Sequence, residues 1–344
     1  MSKNKKILVT GGCGYIGSHT VVSLVENGYD PVIVDTLENS EAFIHANLEK
    51  ITGRKIAFHQ ANCCDEHKME ELFGNENFCG IIHFAAYKAV GESVEFPLKY
   101  YSNNINSLLV MLKMCEKFRV SDFIFSSSCT VYGSPEKIPV TEQTPSGKAE
   151  SPYGNTKVIC EQIITDFTAA NKWLRSILLR YFNPVGAHPG AMIGELGKGI
   201  PANLLPYITQ TAKGIREVLT VFGNDYSTHD GTCIRDYIHV CDVANAHVQA
   251  LEHIDNFVKY PEIFNLGSGN GNTVLEVIKT FEEVNGVKVN YRIGPRRSGD
   301  VEKIYANTQK AEQMLGWKCR YTLADTVKHA WNWENNLSTF KSLK

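Results

Sequence analysis

The chain has 344 residues, more than one minimal domain needs and enough for a large α/β domain or two unequal lobes with a sizeable core. Hydrophobic residues make up 43% and charged residues 21%, and the formal net charge is −2, so there is no basic excess to draw in nucleic acid or a membrane surface. The N-terminal stretch MSKNKKILVTGG has too short an apolar run for a signal sequence or a spanning helix, and the expectation is a cytoplasmic protein with no membrane segment.

Taken in chain order, short β-rich runs alternate with amphipathic helical stretches. The strand candidates are KKILVT at 5–10, YDPVIVDT at 29–36, RKIAFHQ at 54–60, CGIIHFAA at 79–86, VSDFIFSSS at 120–128 and LRSILLRYF at 174–182. That alternation predicts a doubly wound parallel sheet with helices on both faces. Residues 97–118 open with Pro97 and space their apolar residues for one buried face, which predicts a long crossover helix. After Phe182 the run NPVGAHPGAMIGELGKGIP is rich in Gly and Pro, marking a loop and a domain boundary. Beyond it come a helix near 200–214, the strand VLTVFG, a helix near 242–254, the strand EIFNLG, another helix and KVNYRIG. These pieces are expected to form a smaller mixed α/β lobe, with segments near 223–255 packing back onto the first domain.

Ten cysteines without any C-x-x-C pair suit reduced thiols better than bridges or zinc. Eleven histidines show no ligand spacing, so no metal is expected.

The first chemical motif is GGCGYIG at 11–17, directly after a strand and ahead of a helix. Gly12, Gly14 and Gly17 satisfy G-x-G-x-x-G, a pattern that permits a tight turn and close approach of a pyrophosphate to a helix N-terminus. Alone it is also compatible with an ordinary strand-to-helix turn. Asp35 ends the second strand, 18 residues past Gly17, where a carboxylate can accept the ribose hydroxyls of NAD and repel the extra phosphate of NADP. Residues 1–182 are therefore expected to be a Rossmann-type NAD domain and 183–344 the smaller lobe.

The second motif is SPYGNTK at 151–157, where Tyr153 and Lys157 stand four apart at a helix start and so share one face. A nearby cation favours phenolate, so the lysine is expected to lower the tyrosine's pKa and make it a usable base. The third is SSSCTVYG at 126–133, a strand ending in serines where an open α/β sheet presents its ligand crevice. A glycine turn, a strand-end hydroxyl and a Y-x-x-x-K pair together describe a hydride-transfer site.

These motifs, with YYSNNINS, LLRYFNPVGAHP, IPANLLPYI, FGNDYSTHDGT, RDYIHV and PRRSGD, resemble the extended short-chain dehydrogenase/reductases, and among them the UDP-glucose 4-epimerase family, almost end to end. The resemblance implies a homodimeric enzyme with tightly held NAD that interconverts UDP-glucose and UDP-galactose through a 4-keto sugar. It implies Ser128, Tyr153 and Lys157 as the catalytic trio. It assigns the cofactor to Gly11, Gly14, Tyr15, Ile16, Gly17, Asp35, Asn39, Ser40, Asn62, Cys63, Phe84, Ala85, Lys88, Asn103 and Phe182 as well as to the trio. For the UDP-hexose it implies Asn183, Asn203, Leu204, Thr220, Phe222, Arg235, Arg297 and Asp300 beside Ser128 and Tyr153. Ile304 matches the position that in this family sets whether an N-acetyl group fits, and its β-branched bulk points to exclusion.

Departures from the family pattern are Asn62 in place of an adenine-contacting aspartate, Ala86 and Tyr87 in place of Gly and Leu, and Ala202 in place of a frequent asparagine. Rival readings are a UDP-N-acetylhexosamine 4-epimerase, a nucleotide-sugar 4,6-dehydratase and a non-catalytic NAD-sensing protein. The dehydratase would need an acidic pair after the strand-end hydroxyl, where this chain has Cys129 and Thr130.

Overall fold

The computed structural model describes residues 5–146, 149–196, 201, 203–297 and 300–341. The first part of the chain runs β1 (Lys6–Thr10), α1 (Tyr15–Glu26), β2 (Asp30–Asp35), α2 (Ala42–Thr52), β3 (Ala57–Gln60), α3 (Glu66–Asn75), β4 (Gly80–His83), α4 (Val90–Glu95), α5 (Pro97–Phe118), β5 (Asp122–Ser128), α6 (Pro152–Ala170) and β6 (Arg175–Tyr181). It continues with β7 (Asn183–Val185), α7 (Leu204–Ala212), β8 (Leu219–Phe222), β9 (Ile234–Arg235), β10 (Tyr237–His239), α8 (Val240–His253) and β11 (Glu262–Leu266). The last elements are β12 (Asn272–Thr273), α9 (Val274–Asn285), β13 (Tyr291–Gly294), β14 (Lys303–Ile304), α10 (Gln309–Leu315) and α11 (Leu323–Lys341).

Seven strands form one parallel sheet in the order β11-β6-β5-β4-β1-β2-β3. Successive strand residues face opposite sides, so Ile7, Val9, Ile33 and Ile124 enter a core with Val21 and Leu24 of α1 and Val243 and Val248 of α8. Their neighbours Leu8, Val32, Phe123 and Phe125 enter a second core with Leu108, Met111 and Met114 of α5 and Ile164 of α6. Both faces are covered, as the near-continuous apolar strands require. The strand β1 lies between β2 and β4, so the chain winds away from it in both directions, and ligands of open α/β sheets bind beyond the carboxyl end of such a switch point.

A smaller core joins Leu205 and Ile208 of α7, Leu219 and Val221 of β8, Phe281 of α9 and Val327 of α11. The pairs β10–β7 and β13–β8 and the three-stranded β12-β9-β14 rim this lobe. One expectation is corrected. The strand EIFNLG does not belong to the smaller lobe: as β11 it pairs in parallel with β6 and extends the main sheet. Its Phe264 and Leu266 are fully buried in the first core, a burial that the edge of β6 provides. Among the described residues, no helix is long and apolar enough to cross a membrane, and no group of three or more His, Cys, Asp or Glu side chains could hold a metal ion.

Candidate active site

The turn after β1 is shaped by glycine where only glycine fits. Gly11 takes a left-handed φ of 69° and packs against the backbone of Phe84 and Ala85. A Cβ on Gly17 would lie 2.2 Å from the Gly11 carbonyl oxygen, so α1 and the turn close on one another only without a side chain there. Gly14 caps α1 and places no side-chain acceptor over the N–H groups of its first turn, to which Tyr15, Ile16 and Gly17 belong. Free first-turn N–H groups at a helix start suit a phosphate. The Gly12 position is different: a Cβ there would meet Ile33 at 2.8 Å, so this glycine lets the turn pack against β2.

Asp35 ends β2 and its carboxylate accepts the Cys13 N–H at 3.0 Å and the Leu37 N–H at 2.8 Å, with the Ser40 hydroxyl at 3.4 Å. It thus ties the glycine turn to the loop carrying Asn39 and Ser40 and still has lone pairs to offer. Asn62 accepts the Cys64 N–H at 2.8 Å, and Cys63 beside it is buried. The Cys64 thiol donates to the Asn103 carbonyl at 3.6 Å, which brings Asn103 of α5 to the same side as Asn62.

Pro152 and the Ser151 hydroxyl, which accepts the Gly154 N–H at 3.1 Å, start α6. The helix buries Tyr153 and Lys157 together, at 7% and 4% exposure, beside the end of β5. Ser128 is buried there and its hydroxyl accepts the Thr130 N–H at 3.3 Å. Lys157 donates from Nζ to the Ser126 carbonyl at 2.7 Å and sits 4.7 Å from the Phe125 ring centroid. Burial pushes the Tyr153 phenol well above its ordinary value, with the neighbouring Tyr181 phenol adding to the shift and a hydrogen bond with Ser128 opposing it. For the chain by itself the direction is opposite to the lowering expected from a neighbouring lysine. Desolvation of the phenol is the largest cause, and burial also pushes the lysine itself down to about 8.

The residues expected to hold the UDP-hexose lie mostly beyond β6. Asp300 accepts from Arg235 Nη2 at 3.2 Å and from Arg297 Nη2 at 3.0 Å, and the Arg297 guanidinium stands 5.6 Å from the ring of Phe222. Thr220 lies two residues back on the same strand. Arg235 also acts on the charge state of Cys129, next to Ser128, which links this cluster to the end of β5. Asn183 begins β7, beside Phe182, and is hydrogen-bonded through its N–H to the Asp236 carbonyl. Ile304 pairs in register with Arg235 and packs in a small apolar cluster with Phe182, Val131, Tyr132 and Val140. Asn203 caps α7 ahead of Leu204.

One residue beside the expected ones escaped sequence reasoning. Glu195 accepts from Lys88 Nζ at 3.2 Å and from Asn203 Nδ2 at 2.6 Å, joining a residue expected on the cofactor to one expected on the substrate. It lies in the Gly- and Pro-rich loop, where no periodicity singles it out. The Thr130 hydroxyl, two residues past Ser128, is buried with no hydrogen-bond partner among the described residues.

A protein-family profile described as GDP-mannose 4,6 dehydratase matches residues 8–330. The chain is 49% identical over 332 residues to the UDP-glucose 4-epimerase of Schizosaccharomyces pombe, spanning 95% of this chain and 93% of that protein. It is 48% identical over 338 residues to the UDP-glucose 4-epimerase of Bacillus subtilis, spanning 98% and 99%. The chain belongs to the UDP-glucose 4-epimerase family, within the extended short-chain dehydrogenase/reductases. In three dimensions it is similar to the UDP-glucose 4-epimerase of Bifidobacterium longum solved with NAD+ and UDP, with a TM-score of 0.93, 45% identity and coverage of 97% of this chain and 99% of that one.

Against the epimerase family, the departures fall at defined places. The Asn62 amide oxygen accepts the Cys64 backbone N–H at the surface. The Tyr87 hydroxyl, beside Ala86, donates to Glu38 at 2.7 Å. Ala202 lies outside the described residues. The profile's dehydratase name has no counterpart in the residues after Ser128. Cys129 is pushed up to about 12, burial being the main cause, and Thr130 carries no acid, so the pair that would eliminate water is missing.

Proposed function

We propose that this chain catalyses the reversible 4-epimerisation of UDP-glucose and UDP-galactose with bound NAD. The observation that carries this reading is the burial of Ser128, Tyr153 and Lys157 together at the end of β5, in a chain that also holds the glycine turn and the Arg235–Asp300 pair. The open helix start of α1 and the Gly17 cradle fit a pyrophosphate, Asp35 fits the adenosine ribose, and Lys157 fits the nicotinamide ribose. NAD, when bound, supplies a reversible hydride acceptor whose oxidised ring is positively charged.

Tyr153 takes the proton from the sugar 4-hydroxyl as C4 gives up its hydride, and Ser128 holds that oxygen by a hydrogen bond. The phenolate form is favoured by the Ser128 hydrogen bond and by positive charge beside it, against the burial that otherwise keeps the phenol protonated. Returning the hydride to the opposite face of C4 and the proton from Tyr153 to O4 completes the reaction, so the net redox change is zero. Arg235 and Arg297, steadied by Asp300, suit a diphosphate because guanidinium can donate two hydrogen bonds to phosphate oxygens. Phe222 suits the uracil face. Ile304, in its apolar cluster, supports preference for sugars without an N-acetyl group. Purified protein given UDP-galactose should form UDP-glucose, read by chromatography. Bound NAD without product refutes the reading.

A homodimer is supported by an exposed apolar strip on α4 and α5, where Val94 is 63% and Leu98 81% exposed, with Val90 and Phe96 beside them; contiguous apolar surface of this kind suits association. Leu98→Glu, compared with wild type by sedimentation, should shift dimer to monomer. A cytoplasmic location is supported by ten cysteines that are all free thiols, as a reducing compartment keeps them.

A further inference from the structure

We infer that Glu161 and Arg180 form a buried positioning pair that holds Ser128 and Lys157 in their mutual geometry, an inference that rests on the epimerase reading above. Both side chains are buried. Arg180 meets Glu161 through two parallel bonds, Nε to Oε1 at 2.9 Å and Nη2 to Oε2 at 2.5 Å. The Ser127 hydroxyl donates to Oε1 at 2.5 Å. Arg180 Nη1 donates to the Tyr132 hydroxyl at 3.0 Å, which donates in turn to Asn265 Oδ1 at 2.6 Å.

Each anchor is one step from the proposed chemistry. Ser127 precedes Ser128 and pairs in register with Arg180 across β5 and β6. Glu161 lies one helical turn beyond Lys157 on α6. Tyr132 closes the short helical turn Cys129–Tyr132 that follows Ser128 and carries Thr130. The network therefore pins the end of β5, the turn after it and α6 to a single point. Burying two charges costs desolvation that apolar residues of equal volume avoid, so the pair is a poor device for stability alone. Its directional bonds do what an apolar contact cannot, which is to fix the rotation of α6 over the strand end.

The pair also acts on charge. Lys157 is faced by Cys160 and Glu161 on its own helix, both favouring its ammonium form against burial, and it acts in turn on His83 of β4. Arg180 of β6 stands behind Glu161. Removing only the carboxylate leaves Arg180 uncompensated and makes the Lys157 ammonium harder to keep.

The test uses the full-length holoenzyme and UDP-galactose turnover against pH, with wild type, Glu161→Gln and the neutral double variant Glu161→Gln/Arg180→Gln. Glu161→Gln should lower kcat at least tenfold with little change in KM and move the alkaline limb of kcat to lower pH. The double variant, with no uncompensated charge, should regain thermal stability while kcat stays low; if the single variant does not fold, this result decides alone. Wild-type kcat and an unmoved alkaline limb in Glu161→Gln, or recovery of both Tm and kcat in the double variant, overturn the inference and leave the epimerase reading standing. An inactive wild type overturns the epimerase reading and the pair with it.

Discussion

The glycine turn after β1 and the arginine–aspartate cluster of the smaller lobe both suit phosphates, yet they are built in different ways. The turn draws on seven consecutive residues, Gly11 to Gly17, and offers backbone N–H groups whose position follows from the absence of side chains. The cluster gathers Phe222, Arg235, Arg297 and Asp300 from three separate stretches of chain, and its donors are long side chains steadied by one carboxylate. A site made of backbone is sensitive to added atoms; a site made of side chains is sensitive to lost ones. The trio at the end of β5 belongs to neither.

That contrast can be broken at several points. At the junction, Tyr153→Phe is expected to lower kcat by about 10²–10⁴-fold, the span of general acid–base catalysis, while the cofactor stays bound; turnover and the absorbance of bound cofactor check both. On the backbone side, Gly17→Ala adds a Cβ 2.2 Å from the Gly11 carbonyl oxygen. The expected result is a loss of about 1–3 kcal/mol in stability from overpacking together with loss of retained NAD, measured by thermal unfolding and by cofactor content. On the side-chain side, Arg235→Met removes charged hydrogen bonds of about 1.5–3 kcal/mol, so KM for UDP-galactose should rise with NAD content unchanged. A loss of cofactor in that variant would erase the distinction between the halves.

Smaller effects sharpen the picture. Because burial holds Lys157 down to about 8, its ammonium is present below that pH and lost above it, so kcat should fall as pH rises through about 8 in a pH–rate profile. Ile304→Ala opens the apolar cluster beside Phe182, and the ratio of rates on UDP-N-acetylgalactosamine and UDP-galactose should rise. An unchanged ratio places the selectivity elsewhere.

Much of this was legible in the chain because its signals are local. The six strand candidates of the first domain correspond to β1 to β6, and the long helix spans Pro97–Phe118 as its proline and apolar spacing predict. Tyr153 and Lys157 share a helix face because four residues turn once. The strand EIFNLG was misplaced because an apolar run carries no record of which sheet edge it completes. Glu195 was missed because its role depends on Lys88 and Asn203, 107 residues before it and 8 after it. The phenol's direction of shift was misjudged because spacing reports a neighbouring charge and says nothing of burial.

By itself the sequence determined the alternation of strands and helices, the glycine turn, the start of α6 and the residue types available for proton and hydride chemistry, since each depends on neighbours within a turn or two. Only the tertiary structure decided that β11 extends the main sheet, that Asp300 holds two arginines, and that Glu161 and Arg180 tie Ser127 to α6. Those are meetings between distant segments, set by which surfaces can be buried together and which buried charges must find partners. Desolvation, which moves both Tyr153 and Lys157 from their ordinary pKa values, exists only once the chain has closed around them.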